Sequence, residues 1–129
     1  TIIPKKNAPY LIDEYPILAI AASLAEGITI MRGLGELRYK ESDRLKSIHE
    51  NLISSGVNSK IIQDDLIING SNKKINGGNK INSFHDHRIA MSFSILSLIC
   101  KRPLYINNIK CISISYPKFN NDLKSLIIV

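Results

Sequence analysis

Two nearly continuous apolar stretches of helical length, residues 17–25 and 89–100, constrain this chain more than any other feature. An aspartate precedes each of them (Asp13, Asp86), and a short β-type run follows each, at 28–31 and 104–107. Between 17 and 25 only Ser23 interrupts the apolar surface. A helix apolar on nearly every side belongs inside a protein. The second stretch contains Ser92, Ser94 and Ser97 and is too short to span a bilayer, which takes about 20 residues. An Asp-led helix, a strand and a second helix thus occur twice. The interval exceeds the roughly 20–50 residues of solenoid repeats and fits duplication of a whole supersecondary unit.

The remaining segments fill in an α/β order. Asp13 is expected to cap a helix running to about Glu26, with Pro16 in the first turn and Gly27 ending it. A second helix is expected over 42–55, because Leu45, Ile48, His49 and Leu52 recur at i, i+3, i+4, i+7 and Gly56 closes the run. Residues 57–63 and 66–69 flank Asp64-Asp65 as a hairpin. Residues 71–80, rich in Asn, Gly and Lys, read as a loop. Asp86 opens a third helix to about Cys100, residues 103–107 form a strand, and Pro117 opens a closing helix with Phe119, Leu123 and Leu126 on one side. Helix, strand, helix, two strands, helix, strand, helix describes an α/β (α+β) layered arrangement, and residues 1–129 suffice for one domain.

Composition narrows the partners. Hydrophobic residues, at 44%, supply a core, and the net charge of +6 suits nucleic acid, an acidic membrane surface or a small phosphorylated ligand. No basic run exceeds two lysines and Trp is absent, so a base-stacking platform is not expected. Two cysteines, Cys100 and Cys111, make neither a disulfide framework nor a metal box. Pro4, Lys5 and Lys6 interrupt any signal-peptide pattern, which leaves a soluble cytoplasmic protein as the expectation, with no membrane partner. The chain opens on Thr1 instead of Met, and a piece of a longer protein is expected.

Chemistry concentrates in two motifs, Lys40-Glu41-Ser42-Asp43-Arg44 and Asp86-His87-Arg88, each at a helix start. Backbone N–H groups and the macrodipole favour an anion there. Arg44 offers a planar fork for a carboxylate or phosphate, and Glu41 a general acid or base. The plainer alternative is a solvated first turn with a surface ion pair between Glu41 and Arg44, worth little. Asp86 can likewise be only a cap, yet cations at a helix N-terminus, such as Arg88, oppose the dipole unless an anion sits between them. His85-Asp86-His87 invites a metal, but adjacent residues point apart and no Cys or carboxylate cluster completes a coordination shell. No metal is expected. Asp13 can bind a ligand besides capping only if one oxygen stays free. His49 is expected at the edge of the core.

Residues 37–45, Leu-Arg-Tyr-Lys-Glu-Ser-Asp-Arg-Leu, resemble the L-R-x-K-E-S/T-D-R-L signature of the 5-enolpyruvylshikimate-3-phosphate (EPSP) synthase family. Asp86-His87-Arg88-Ile89-Ala90-Met91 resembles that family's D-H-R-M/I-A-M, and Tyr116-Pro117 its C-terminal S-F/Y-P. The similarity runs from about residue 10 to the end. It implies an incomplete domain of an inside-out α/β barrel built from repeated βαβαββ units. It also implies transfer of the carboxyvinyl group of phosphoenolpyruvate to the 5-hydroxyl of shikimate 3-phosphate, with no cofactor. By resemblance, Glu41 carries the proton to and from the methylene, and Asp13 and Lys40 hold and help deprotonate the hydroxyl. Arg44 and Arg88 clamp phosphoenolpyruvate, and Asp86 and His87 shape that clamp. Family chains are roughly three times as long, so the resemblance implies a missing N-terminal portion as partner and a fragment inactive alone. Ile114 stands where many members have Lys, and Glu36 where some have Asn. Two alternatives are a non-catalytic phosphate- or RNA-binding α/β module, the fold relation being to RNA 3′-phosphate cyclases, and the related UDP-N-acetylglucosamine carboxyvinyl transferase. The latter uses a catalytic Cys on a loop, a setting that neither Cys100 nor Cys111 is expected to occupy.

Overall fold

The computed structural model describes residues 1–71 and 74–127. Strand β1 (Ile2–Ile3) leads through a 3-10 turn and the one-turn helix α1 (Ala8–Leu11) into α2 (Tyr15–Leu24) and β2 (Gly27–Met31). β1 and β2 pair in parallel, Ile2 opposite Ile30, so α2 is the crossover of a βαβ unit. A 3-10 helix (Gly35–Tyr39) and α3 (Arg44–Ser54) follow, then the antiparallel hairpin β3 (Asn58–Ile62) and β4 (Asp65–Gly70). The sheet order is β1-β2-β4-β3, which makes residues 2–70 one βαβαββ unit.

The expected duplication is present. β5 (Lys80–Ile81), α4 (His87–Ile99) and β6 (Tyr105–Ile106) form a second parallel βαβ unit, Lys80 opposite Tyr105. Helices α5 (Lys110–Ser115) and α6 (Phe119–Leu126) come after it. The two crossover helices α2 and α4 pack on each other, and α2 also lies on β4. Tyr15, Ile20, Leu45, Leu52, Leu66, Ile68, Phe93 and Leu96 form one continuous core. β4 buries Leu66 and Ile68 while Asn69 faces out, so one sheet face is covered by helices.

α3 ends as its glycine dictates. Gly56 takes φ +92°, and its N–H reaches the Ile53 carbonyl (3.0 Å) while that of Val57 reaches Leu52 (2.9 Å). Those are the two hydrogen bonds of a Schellman cap.

Three expectations need correction. Asp13 does not cap α2: the helix starts at Tyr15, Glu14 occupies the cap position without a side-chain cap bond, and the Asp13 carboxylate is drawn to Arg44 instead. Pro16 sits in the first turn as its missing N–H allows. Within the expected loop 71–80, residue 80 begins β5, because pairing with β6 orders a strand too short to show a period; positions 72 and 73 lie outside the described residues. Residues 110–115, for which the sequence carries no element expectation, form α5 with Ile112 buried. The closing helix starts at Phe119, two residues after Pro117, and buries none of its residues.

Candidate active site

Three helix N-termini converge. Asp13 lies just before α2, Arg44 opens α3, and Asp86 caps α4 by accepting the Arg88 N–H at 3.0 Å. Asp43 caps α3 in the same way, accepting from Lys46 N–H at 3.1 Å. The Arg44 side chain is only 1% exposed and stands between three carboxylates. Its Nε donates to Asp86 Oδ2 at 2.8 Å and its Nη2 to Asp86 Oδ1 at 3.2 Å. Nη2 also donates to Glu41 Oε2 at 2.6 Å, and Nη1 to Asp13 Oδ1 at 3.1 Å.

The two sides of this guanidinium differ. Asp86, fully buried, grips the inner edge; Glu41 (52% exposed) and Asp13 (45% exposed) hold the outer edge. A charge pair without water needs all its hydrogen-bonding positions filled. Ser42 supplies one more, donating to Asp86 Oδ2 at 2.8 Å. Burial works to raise the Asp86 pKa, but hydrogen bonds from Arg44 and Ser42, the Arg44 charge and the Arg88 N–H outweigh it and hold the carboxyl below its ordinary value. For Arg44, burial works to lower the pKa, and the hydrogen bond and charge of Asp86, the charge of Glu41 and the bond to Asp13 raise it instead. The inner pair is therefore permanently ionised near neutrality.

Arg88 points to the same place from α4. Its Nη1 donates to the Asp13 carbonyl at 3.3 Å and lies 4.0 Å from Glu14 Oε1. A cavity of ≈ 330 Å³ opens beside it, lined by Asp13, Glu14, Ile17, Arg88, Met91 and Phe119 among others. Lys40 is exposed on the bend before α3, and His87 is half-buried in the first turn of α4. Neither makes a hydrogen bond or ion pair with the described residues. The structure thus brings Asp13, Glu41, Arg44, Asp86 and Arg88 together and leaves Lys40 and His87 at the margin. Arg44 does not stand free as a fork: its inner edge is committed, and only its outer edge faces half-exposed groups. A larger hollow of ≈ 1030 Å³ beside β5 and β6 shares no residue with this cluster.

Sequence reasoning missed the residues that aim Asp86. Phe84 and His85 both adopt left-handed backbone, at φ +53° and +56°. Such positions persist only where the surroundings fix them. Asn51 of α3 does so, donating to the Asn82 carbonyl (2.8 Å) and accepting the Asn82 N–H (3.0 Å). Asn107 accepts from the Ser83 N–H (2.8 Å) and hydroxyl (3.1 Å). The available signal was Asn51 itself, a polar residue three positions after Ile48 on the inward face of α3. His49 is half-buried against Ser59, 2.8 Å from its hydroxyl, at the core edge as expected. Cys100 is buried at the end of α4, and Cys111 lies within α5.

A family profile for EPSP synthase (3-phosphoshikimate 1-carboxyvinyltransferase) matches residues 4–123. A 3-phosphoshikimate 1-carboxyvinyltransferase of Oceanobacillus iheyensis is 49% identical over 119 residues, which is 92% of this chain and 27% of the relative. One from Methylorubrum extorquens is 46% identical over 124 residues, 96% of this chain and 27% of the relative. The solved EPSP synthase of Acinetobacter baumannii superposes with a TM-score of 0.91 at 38% identity, over 97% of this chain and 29% of that one. The enolpyruvyl transferase NikO from Streptomyces tendae shares the fold, with a TM-score of 0.69 at 22% identity over 88% of this chain and 25% of that one. The chain therefore spans less than a third of these proteins' lengths.

Proposed function

This chain belongs to the EPSP synthase family, and from that premise we propose that it forms the phosphoenolpyruvate side of a 3-phosphoshikimate 1-carboxyvinyltransferase, a transferase of chorismate and aromatic amino acid biosynthesis. The convergence of Asp13, Arg44 and Asp86 at three helix starts, with Glu41 half-exposed on the outer edge of Arg44, carries this reading.

The chemistry asks for one proton carrier, one base and several cations. Glu41 gives a proton to the methylene carbon of phosphoenolpyruvate as the shikimate 5-hydroxyl oxygen bonds to the neighbouring carbon. Asp13 accepts the hydroxyl proton, and the Lys40 ammonium helps hold the hydroxyl and stabilises the charge that develops on its oxygen. Glu41 then removes a proton from the new methyl group as the C–O bond to phosphate breaks, which restores the double bond. Arg88, with its cavity, and the outer edge of Arg44 hold the anionic ligand. For Arg44 this means exchanging Asp13 or Glu41 for the ligand while Asp86 keeps the inner edge fixed. A guanidinium fixed in advance stabilises developing charge without reorganising. Asp86 and His87 set the position of Arg88.

Charge balance explains why this segment needs a partner. Asp13, Glu14, Glu41 and Asp86 place four carboxylates around Arg44 and Arg88. A multiply charged phosphate ester needs more cations than these, and we assign their supply to a further portion of the same enzyme, facing this site. The same carboxylates disfavour a nucleic-acid phosphate backbone, whose binding depends on unopposed cations. Among the described residues no helix is long and apolar enough to cross a membrane. We place the reaction in the cytoplasm, in keeping with two free cysteines.

The test is turnover of a complete enzyme in which this chain replaces the matching segment of the A. baumannii EPSP synthase, followed as phosphate release. Glu41→Gln is expected to lower kcat by about 10²–10⁴-fold, the usual worth of a general acid–base group, with KM little changed. Undiminished turnover would remove Glu41 from the role.

A further inference from the structure

We propose that Arg38 is a positioning residue that fixes the bend bearing Lys40 and Glu41; the inference rests on the reading of Glu41 as proton carrier. Arg38 lies in the last turn of the 3-10 helix before that bend. Its guanidinium works in three directions. Nε donates to Asp64 Oδ1 at 3.2 Å, Nη2 donates to the Gln63 carbonyl at 2.8 Å, and Nη1 lies 3.8 Å from Asp43 Oδ2.

These partners bracket the bend. Gln63 and Asp64 form the turn between β3 and β4, while Asp43 is the residue whose other oxygen caps α3. One side chain thus ties the hairpin tip to the helix cap, with residues 40–42 held between. The same hairpin end also holds the start of the preceding segment: Leu34 N–H donates to the Asp64 carbonyl (2.7 Å), and Gly33 N–H to Asp65 Oδ1 (2.8 Å).

Half-exposed ion pairs of this sort add little to stability. Their consequence here is geometric. Glu41 meets Arg44 at 2.6 Å from a bend with no regular secondary structure of its own, and a displacement of about 1 Å can cost about 10²-fold in rate. Only a planar fork reaches a carbonyl and two carboxylates at once, so lysine cannot replace it.

Two measurements test this. In the ¹⁵N-labelled chain, Arg38→Ala and Asp64→Asn should lower the backbone order parameters at Lys40 and Glu41 from about 0.85 to below about 0.6. The Arg44 Nη2 protons should exchange faster, while the Arg44 Nε–H, on buried Asp86, persists. Arg38→Lys should not restore order. In the complete chimeric enzyme, Arg38→Ala should lower kcat by about 10–100-fold with KM for phosphoenolpyruvate nearly unchanged. Unchanged order parameters in both variants would overturn the inference, as would loss of the Nε–H signal together with Nη2. Full turnover of Arg38→Ala beside a crippled Glu41→Gln would overturn it alone; full turnover of Glu41→Gln would instead sink the reading beneath it.

Discussion

Arg44 Nε donates to Asp86 Oδ2 at 2.8 Å, joining the first turn of α3 to the cap of α4 across 42 residues of sequence. Both side chains are shut away from solvent. This pair holds two signature motifs in one register, and it shows why a guanidinium and a carboxylate recur at two helix starts.

Removing one partner of such a pair leaves the other buried and uncompensated. Asp86→Ala is therefore expected to lower the unfolding free energy by about 3–5 kcal/mol in urea titrations. Glu50→Ala removes only the exposed pair with Lys46 at 3.8 Å and should change stability by less than about 0.5 kcal/mol.

Acid should act through the same carboxyl. The folded pKa of Asp86 is depressed, so between that value and the unfolded one, about 3.9, the unfolded chain binds the extra proton. Stability should accordingly be complete above the unfolded pKa and fall as pH drops through the folded one. Thermal unfolding measured from pH 6 downwards checks this. The acid loss should be smaller in Asp86→Asn; an identical profile would contradict it.

Tyr15 is fully buried at the start of α2, and its hydroxyl has no hydrogen-bond partner among the described residues. Tyr15→Phe removes a buried polar group and breaks no described bond. The unfolding free energy from urea titration should stay level or rise, by about 1 kcal/mol at most. A loss larger than that would reveal a hydrogen bond to the hydroxyl.

Gly56 offers open space for a Cβ but sits at φ +92°. Gly56→Ala should cost about 1–2 kcal/mol from backbone conformation alone, and Gly56→Asn less, because Asn tolerates left-handed backbone. Equal losses would point to packing instead.

Much of this was legible because the elements that matter are long. The buried helices α2 and α4 announce themselves as apolar runs, α3 by its period and its Gly56 stop, and the duplication by their common lead-in. What escaped has physical causes. β1, β5 and β6 hold two residues each and exist through pairing, not through local pattern. α5, six residues long, is too short to show a helical period and is held by Ile112 and its packing on α4. Asp13 reads as a cap because that is the commoner use of an aspartate there, and only the distant Arg44 redirects it. The motifs were visible, but the near-complete burial of Arg44 was not, since it depends on three carboxylates meeting from three helices.

The most direct test of the site is a phosphoenolpyruvate titration of the complete chimeric enzyme, followed through the arginine side-chain resonances of this segment. Binding at the outer edge should shift the Arg88 signals and the Arg44 Nη signals while the Arg44 Nε–H, held by Asp86, stays in place; Arg88→Lys should abolish the response. Shifts confined to residues remote from Asp13, Arg44 and Arg88, or no shift at any concentration up to about 10 mM, weaker than even the millimolar end of affinities, would contradict it.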